Sequence, residues 1–151
     1  MLDEKARSFV AAPSSGAMPT EHEQIIQRGF DAFETADMDA FTADWHPDVV
    51  WDLANHESWQ GDADRYVGAA DILAAFGRFL AGAQTLRLDM HELRELPDGR
   101  VIALYTEWRR EPGQPEPEPI EMGIVYTLEA GKVRLMQVHT GHEAARRTAG
   151  V

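Results

Sequence analysis

The C-terminal half of the chain decides the fold, because four apolar segments there are separated by turn-forming residues. The segments are LRLDMHELREL at residues 86–96, VIALYTEWRR at 101–110, IEMGIVYTL at 120–128 and KVRLMQVHT at 132–140. Apolar residues recur at about every second position, which is typical of strands with one face against a core. Turn signals such as Pro97-Asp98-Gly99 lie between them. We therefore expect a meander of paired strands.

The N-terminal half has the spacing of helices instead. Thr20 and Glu23 fit a capping box. Apolar residues then follow at helical spacing, namely Ile25, Ile26, Phe30 and Phe33. We expect a second helix over residues 38–45, a strand over 49–54 and a third helix from about residue 68 to 80. This order favours an α+β domain with three N-terminal helices against a curved, mostly antiparallel sheet.

The chain divides into a short arm and one domain. Residues 1–19 include AAPSSGAMP, a small, polar stretch with two prolines, so we expect a flexible N-terminal arm. A short helix over Asp3–Phe9 is compatible with the same region. Residues 20–151 have the size of a single domain. Their last part, residues 141–151, is expected to form a frayed helical turn.

Composition excludes several classes of function. A formal net charge of −12 argues against sequence-independent binding of nucleic acid. No apolar run approaches the roughly 20 residues that span a bilayer, and no apolar stretch follows the charged N-terminus as in a secretory signal. The lack of cysteine excludes a thiolate metal site and a cysteine nucleophile. We expect a cytoplasmic protein with no membrane or nucleic-acid partner.

Three stretches of the sequence carry a family resemblance. They are TADMDAFTADWHPDVVWD at residues 35–52, YVGAADILAAF at 66–76 and AGKVRLMQVHTG at 130–141. Together, and in this order, they resemble the SnoaL-like branch of the nuclear transport factor 2-like superfamily over about residues 20–145. The resemblance implies a cone-shaped fold around an apolar pocket. The superfamily includes ketosteroid isomerases, polyketide cyclases and limonene epoxide hydrolases, so the fold alone does not give a function.

The resemblance implies a catalytic role for Asp52. Ketosteroid isomerases carry their general base at the end of the first strand, which matches the aspartate of VVWD here. Such a base needs a partly dehydrated carboxylate at the pocket wall, where its pKa rises toward neutrality. The alternative is that Asp52 caps the end of a strand or pairs with an arginine.

Other parts of the isomerase and hydrolase sites are missing. The two oxyanion-hole donors of the isomerases correspond to Gly29 and Gly123, neither of which has a side chain that donates a hydrogen bond. The aspartate on the final strand of the epoxide hydrolases corresponds to Val138. The implied pocket therefore lacks residues that the isomerase mechanism and the epoxide hydrolase mechanism both require.

Strand alternation predicts which side chains face the pocket. Tyr105 and Glu107 are expected to face inward on one strand, and Glu121 and Gly123 on the next. Tyr105 is then a candidate donor to a substrate oxygen, and Glu121 a candidate acid or base. The alternatives are a core tyrosine and, for both glutamates, cross-strand pairs with Arg109 or Arg134 on a solvated face.

The loop over residues 55–67 is expected to overhang the pocket mouth. His56 in this loop is the preferred histidine for proton transfer, with an exposed loop histidine as the alternative. No histidine pair has the helical spacing of a metalloprotease site, so no metal is expected. The predicted walls, which would bind substrate, are Phe30, Phe33, Trp59, Phe76, Met136 and Val138.

The opposite face of the sheet is expected to bind a second subunit. Ile102, Leu104 and Trp108 would form an apolar outer face, and Trp51 is placed there as well. A homodimer through this face is the prediction.

Two hypotheses about function follow. The first is a cofactor-independent isomerase, cyclase, hydrolase or lyase that uses acid–base chemistry on a small apolar or polycyclic molecule. No cofactor is expected because no glycine-rich phosphate loop is present. The second is a non-catalytic module for binding a hydrophobic ligand or for dimerisation, suggested by the glycines at the donor positions.

Overall fold

The helices of the first half are fixed by their caps. A computed structural model describes residues 18–59, 61–82 and 84–151. Helix α1 (Glu21–Glu34) begins at a capping box, because Thr20 Oγ1 accepts from Glu23 N–H and Glu23 Oε1 accepts from Thr20 N–H, both at 3.1 Å. The predicted start of this helix is thus confirmed. Most of the predicted arm, residues 1–17 with Asp3–Phe9, lies outside the described residues.

Helix α2 (Met38–Thr42) is shorter than predicted. Asp37 caps its start, but the chain leaves the helix after Thr42 and enters β1 at Trp45. Trp45 pairs there with Val133, whose N–H donates to the Asp44 carbonyl at 2.7 Å. Tertiary pairing with the last strand thus ends the helix. Helix α3 (Ala69–Gly82) agrees with the predicted third helix.

Six strands form one mixed sheet. They are β1 (Trp45–Asn55), β2 (Arg65–Val67), β3 (Gln84–Glu95), β4 (Val101–Arg110), β5 (Glu118–Glu129) and β6 (Lys132–Thr140). Their order across the sheet is β2-β1-β6-β5-β4-β3. Every neighbouring pair is antiparallel except β1 and β6, which run parallel. The α+β class and the meander are confirmed, with β2 as a short strand inside the predicted loop.

The two faces of the sheet are covered by different helices. The larger core lies between one face and helices α1 and α3, and it includes Ile25, Ile72 and Met90. The other face carries a smaller cluster with helix α4 (His142–Ala149), in which Ala145 and Ala149 are buried. The segment predicted as a frayed turn is therefore a packed helix.

Helix α4 corrects the prediction about the outer face. Ile102 and Leu104 are at most 1% exposed, because Ala145 and Ala149 of α4 belong to the same buried cluster. These two residues therefore do not present a free surface to a second subunit. Homodimerisation itself stays a prediction.

Gly123 lies under α4 and allows its close approach. A Cβ at this position would lie 2.5 Å from Ala145 Cβ and 3.0 Å from Leu104 Cδ2. Gly123 therefore faces α4 and not the pocket, which corrects the predicted inward set on β5. The inward residues of β5 are Met122, Ile124 and Tyr126. One step of register moves every side chain of a strand to the other face.

The replacement Gly123→Ala is expected to lower the free energy of unfolding by about 1–3 kcal/mol, since it overpacks the contact between β5 and α4. Urea denaturation would measure the change. The matched control is Gly77→Ala, because Gly77 is exposed in α3 and a Cβ there meets nothing within 4 Å. The control should gain about 0.5–1 kcal/mol from helix propensity. Wild-type stability in Gly123→Ala would contradict the packing.

Within the described ranges, no helix is long and apolar enough to cross a membrane.

Candidate functional site

A cavity of about 150 Å³ lies between the inner face of the sheet and helices α1, α2 and α3. Aromatic and aliphatic side chains form most of its wall. All six predicted wall residues line it, namely Phe30, Phe33, Trp59, Phe76, Met136 and Val138. Their placement agrees with the sequence prediction, while their role in binding substrate stays a prediction.

An aromatic cluster forms one side of the cavity. The Phe76 ring has its centroid 5.7 Å from that of Phe33, 5.9 Å from Phe41, 5.8 Å from Trp51 and 6.5 Å from Phe79. Trp51 therefore faces the cavity, which corrects its predicted place on the outer face. Rings at these distances pack in edge-to-face and offset geometries, which gives the wall a defined shape.

One end of the cavity is charged and is formed by two residues of β4, while Asp44, which also lines the cavity, pairs with Arg28 Nε at 3.3 Å. Arg109 Nε donates to Glu107 Oε2 at 3.0 Å, and Arg109 Nη2 donates to Glu107 Oε1 at 3.1 Å. The side chains are 2% and 9% exposed. The Arg109 guanidinium also lies 4.9 Å from the ring centre of Phe79. A bidentate pair in this geometry carries no net charge and is held in one orientation.

His56 lies at the same end of the cavity. Its backbone N–H donates to the Leu53 carbonyl at 3.0 Å and its carbonyl accepts from Trp59 N–H at 3.2 Å, so tight turns after β1 fix its position. The residue is 8% exposed. Within the described part of the chain, the imidazole Nδ1 is buried without a hydrogen-bond partner. The predicted loop histidine is therefore a buried residue of the cavity wall.

The surroundings keep His56 neutral. Burial lowers the pKa of His56 below its usual 6.5, and the positive charge of Arg109 lowers it further, whereas Glu107 opposes the shift. The imidazole thus has a lone pair available at neutral pH.

Tyr105 also faces the cavity, as predicted. Its ring lies 5.5 Å from that of Phe30 in an edge-on arrangement. Burial raises the pKa of Tyr105 well above 10, and the nearby Glu107 carboxylate adds to the shift. The phenol therefore stays protonated and can act as a hydrogen-bond donor.

Asp52 does not line the cavity. Trp51 and Leu53, its neighbours on β1, point inward, so Asp52 lies on the opposite face of the sheet. Its Oδ1 accepts from Ala54 N–H at 3.0 Å. The prediction that Asp52 is the polar group of the pocket is wrong about its place, because alternation along β1 turns its side chain outward.

Glu121 is also placed away from the cavity. Its side chain is 66% exposed and lies 3.8 Å from His142 Nδ1. Gly29 does line the cavity. At Gly29, one of the two positions that correspond to an isomerase donor, the cavity wall therefore has no donating side chain. Gly123, the other position, lies on the opposite face of the sheet.

Arg109 is the site residue that sequence reasoning did not select. It entered only as a surface partner for Glu107, yet the pair is buried in the cavity wall. The signal was the period of two in Tyr105, Glu107 and Arg109, which places all three on one face. No group of three or more histidine, aspartate or glutamate side chains in the described ranges is arranged to hold a metal ion.

The family of the protein follows from its sequence profile. The SnoaL-like domain matches residues 26–136. The chain therefore belongs to the SnoaL-like domain family. No curated protein matches it significantly.

Solved structures share the fold. An NTF2-like protein of unknown function from Burkholderia pseudomallei K96243 has a TM-score of 0.72 and 19% identity, over 87% of this chain and 99% of that one. Bal32a from a soil-derived mobile gene cassette has a TM-score of 0.69 and 21% identity, over 85% and 95%. TerC, co-crystallized with polyporic acid, has a TM-score of 0.66 and 21% identity, over 87% and 100%.

Other fold neighbours include candidate polyketide cyclases and a protein with a ketosteroid isomerase-like fold. At these identities the likeness shows the fold alone. The chain thus belongs to the SnoaL-like domain family and shares its fold with an NTF2-like protein.

Proposed function

We propose that the protein is a cofactor-independent acid–base enzyme, of the isomerase, cyclase, hydrolase or lyase type, that acts on a small apolar carbonyl compound. One observation carries the proposal. A buried histidine with an unpartnered Nδ1 lines an apolar cavity together with a protonated tyrosine. This is a base and a hydrogen-bond donor in one dehydrated site.

The volume of the cavity limits the size of the predicted substrate. An apolar cavity of about 150 Å³ holds a molecule of about the size of benzene. A small ring is therefore favoured over a polycyclic molecule. The structure of TerC with polyporic acid supports the idea that this fold accommodates organic ligands.

Proton abstraction next to a carbonyl fits these residues. The bond between the α-carbon and its hydrogen breaks, and the proton passes to the lone pair of the His56 imidazole. The electron pair moves onto the carbonyl oxygen to form an enolate, which Tyr105 stabilises by donating a hydrogen bond. Return of a proton from His56 to carbon completes an isomerisation or an exchange.

The test is deuterium exchange at the α-carbons of cyclohexanone in D₂O, followed by proton NMR. The wild type should accelerate exchange over buffer, and His56→Gln should lose about 10²–10⁴ of that acceleration. Because the pKa of His56 lies below 6.5, the rate should be constant near neutrality and fall as the pH drops through that pKa. This fall reflects protonation of the base.

The matched control is Asp52→Asn, on the opposite face of β1, which should exchange cyclohexanone at the wild-type rate. Exchange no faster than in buffer, or full activity in His56→Gln, would overturn the catalytic proposal.

The ion pair between Glu107 and Arg109 favours a second function. The cavity-lining Glu107 carboxylate is bound by Arg109 on two oxygens, and Gly29 provides no donor. These features suit a non-catalytic module that binds a hydrophobic ligand. Binding of cyclohexanone without exchange would favour this alternative.

A further inference from the structure

The polar end of the cavity defines what a ligand must carry. We propose that the cavity recognises a neutral, single-ring molecule with one ring hydroxyl, which forms a hydrogen bond with Nδ1 of His56. The proposal rests on the proposed function only in assuming that the cavity takes a ligand. It does not depend on whether any reaction follows.

The first argument is the unpartnered imidazole nitrogen. His56 is more than nine-tenths buried, and its Nδ1 has no hydrogen-bond partner among the described residues. Buried polar atoms in proteins are almost always hydrogen-bonded. His56 lines the cavity, and its ring lies against Trp59 with centroids 6.0 Å apart, which restricts the orientation of the imidazole.

The second argument is charge. Arg109 and Glu107 neutralise each other through two hydrogen bonds in a nearly solvent-free setting. Arg109 Nη1 also lies 3.8 Å from Oε1 of the exposed Glu111. A carboxylate ligand would therefore add a third negative charge around one arginine and would lose its hydration on entering. A cationic ligand would be repelled by Arg109 and would also lose its hydration. The site therefore favours a neutral ligand.

The third argument is the kind of polar group. A neutral imidazole nitrogen is a donor in one tautomer and an acceptor in the other. A hydroxyl both donates and accepts, so it satisfies Nδ1 in either tautomer, whereas an ether or a ketone satisfies only one. The ring that carries the hydroxyl packs against Trp59 and Phe79, which lie 5.8 Å apart beside the polar end.

The test compares phenol, toluene and benzoate, three single-ring probes that differ in the one substituent. Binding to the intact protein would be measured by titration calorimetry and by the rise in Tm. The wild type should bind phenol at least about tenfold more tightly than toluene, which corresponds to about 1.4 kcal/mol. Benzoate should bind most weakly of the three.

His56→Leu should reduce phenol binding to the level of toluene and leave toluene binding nearly unchanged. The control is His46→Gln, because His46 pairs with Glu129 at 3.0 Å outside the cavity. This variant should keep the preference for phenol. In the wild type, the nitrogen NMR signal of His56 Nδ1 should shift with phenol and not with toluene, which tests the contact without any substitution.

Equal affinity for phenol and toluene in the wild type, or an unchanged preference in a folded His56→Leu, would overturn the inference. If none of the probes binds, the assumption of a ligand cavity fails, and the proposed function fails with it. If phenol is preferred through His56 but cyclohexanone does not exchange, the inference stands and only the catalytic proposal is lost.

Discussion

Arg109→Met should lower the free energy of unfolding by about 3–5 kcal/mol, because it removes the arginine that forms two hydrogen bonds with the buried Glu107 carboxylate. For a domain of this size the loss corresponds to a fall in Tm of roughly 6–20 °C. Methionine keeps much of the volume beside Phe79, so the effect arises from the lost ion pair more than from a void. Chemical denaturation and calorimetry would both measure it.

A double-mutant cycle separates the charge from the packing. Glu107→Met combined with Arg109→Met removes both charges and replaces them with side chains of similar volume. Buried ion pairs replaced in this way are often neutral or stabilising. We therefore expect the double variant to recover most of the stability that either single variant loses.

The chain offers a more exposed pair for comparison, in which the glutamate, Glu92, also accepts from Arg146 Nη2 at 3.2 Å. On β3, Arg94 Nε donates to Glu92 Oε2 at 2.9 Å, with the same separation of two residues along a strand. The Arg94 side chain is 41% exposed, so Arg94→Met should cost only about 0–1 kcal/mol. Similar losses in Arg94→Met and Arg109→Met would show that burial of the second pair contributes little.

More of the fold than of the site could be predicted from the sequence. Alternation on β4 and β6 correctly placed Tyr105, Met136 and Val138 at the cavity, because both strands lie in the middle of the sheet with one face against the core. The cap at Thr20 and the turn at Pro97-Asp98-Gly99 could be predicted because each depends only on residues that are close in the sequence.

The errors have a shared physical cause. The faces of β1 and β5 depend on which residues pair across the sheet, and pairing is set by distant segments. Leu104 pairs with Gly123 and Tyr105 with Met122, so an inward Tyr105 requires an outward Gly123. In the same way, an inward Trp51 turns Asp52 outward. The residues of one strand show that its side chains alternate, but not which set faces the cavity.

The burial of His56 and the packing of α4 could not be predicted from the sequence for a similar reason. His56 follows β1 in a polar stretch, and only the turns to Leu53 and Trp59 carry it inside. The residues of α4 contact the sheet chiefly through two alanines, which give a weak apolar pattern. Glu107 and Arg109 were recognised as a pair, but their charge suggested the surface, because charged residues are rarely buried.

Phe76→Ala should lower the free energy of unfolding by about 3 kcal/mol and also change the size of ligand that the cavity prefers. The cost is at the lower end of the usual range for removing a phenylalanine ring, because Phe76 is only partly buried. Most domains keep a net stability of about 5–15 kcal/mol. The variant should therefore remain folded at room temperature.

The change in ligand size follows from the position of the ring. Phe76 contacts four other aromatic rings and lines the cavity, so its removal opens space beside the existing volume of about 150 Å³. In the wild type, phenol should bind more tightly than 2-naphthol, whose second ring has no room. Each additional buried carbon is worth about 0.8 kcal/mol. The ratio of 2-naphthol to phenol affinity should therefore rise by at least about tenfold in Phe76→Ala.

Phe76→Leu is the control for this experiment, since leucine fills most of the same space and should keep the preference for phenol. Calorimetric titration of the three proteins with both alcohols would measure the ratios. A Phe76→Ala protein that is folded, less stable and still selective for phenol would mean that the aromatic cluster collapses into the gap, and that another part of the wall limits ligand size. A shift toward 2-naphthol would establish that Phe76 limits the size of ligand that the cavity accepts.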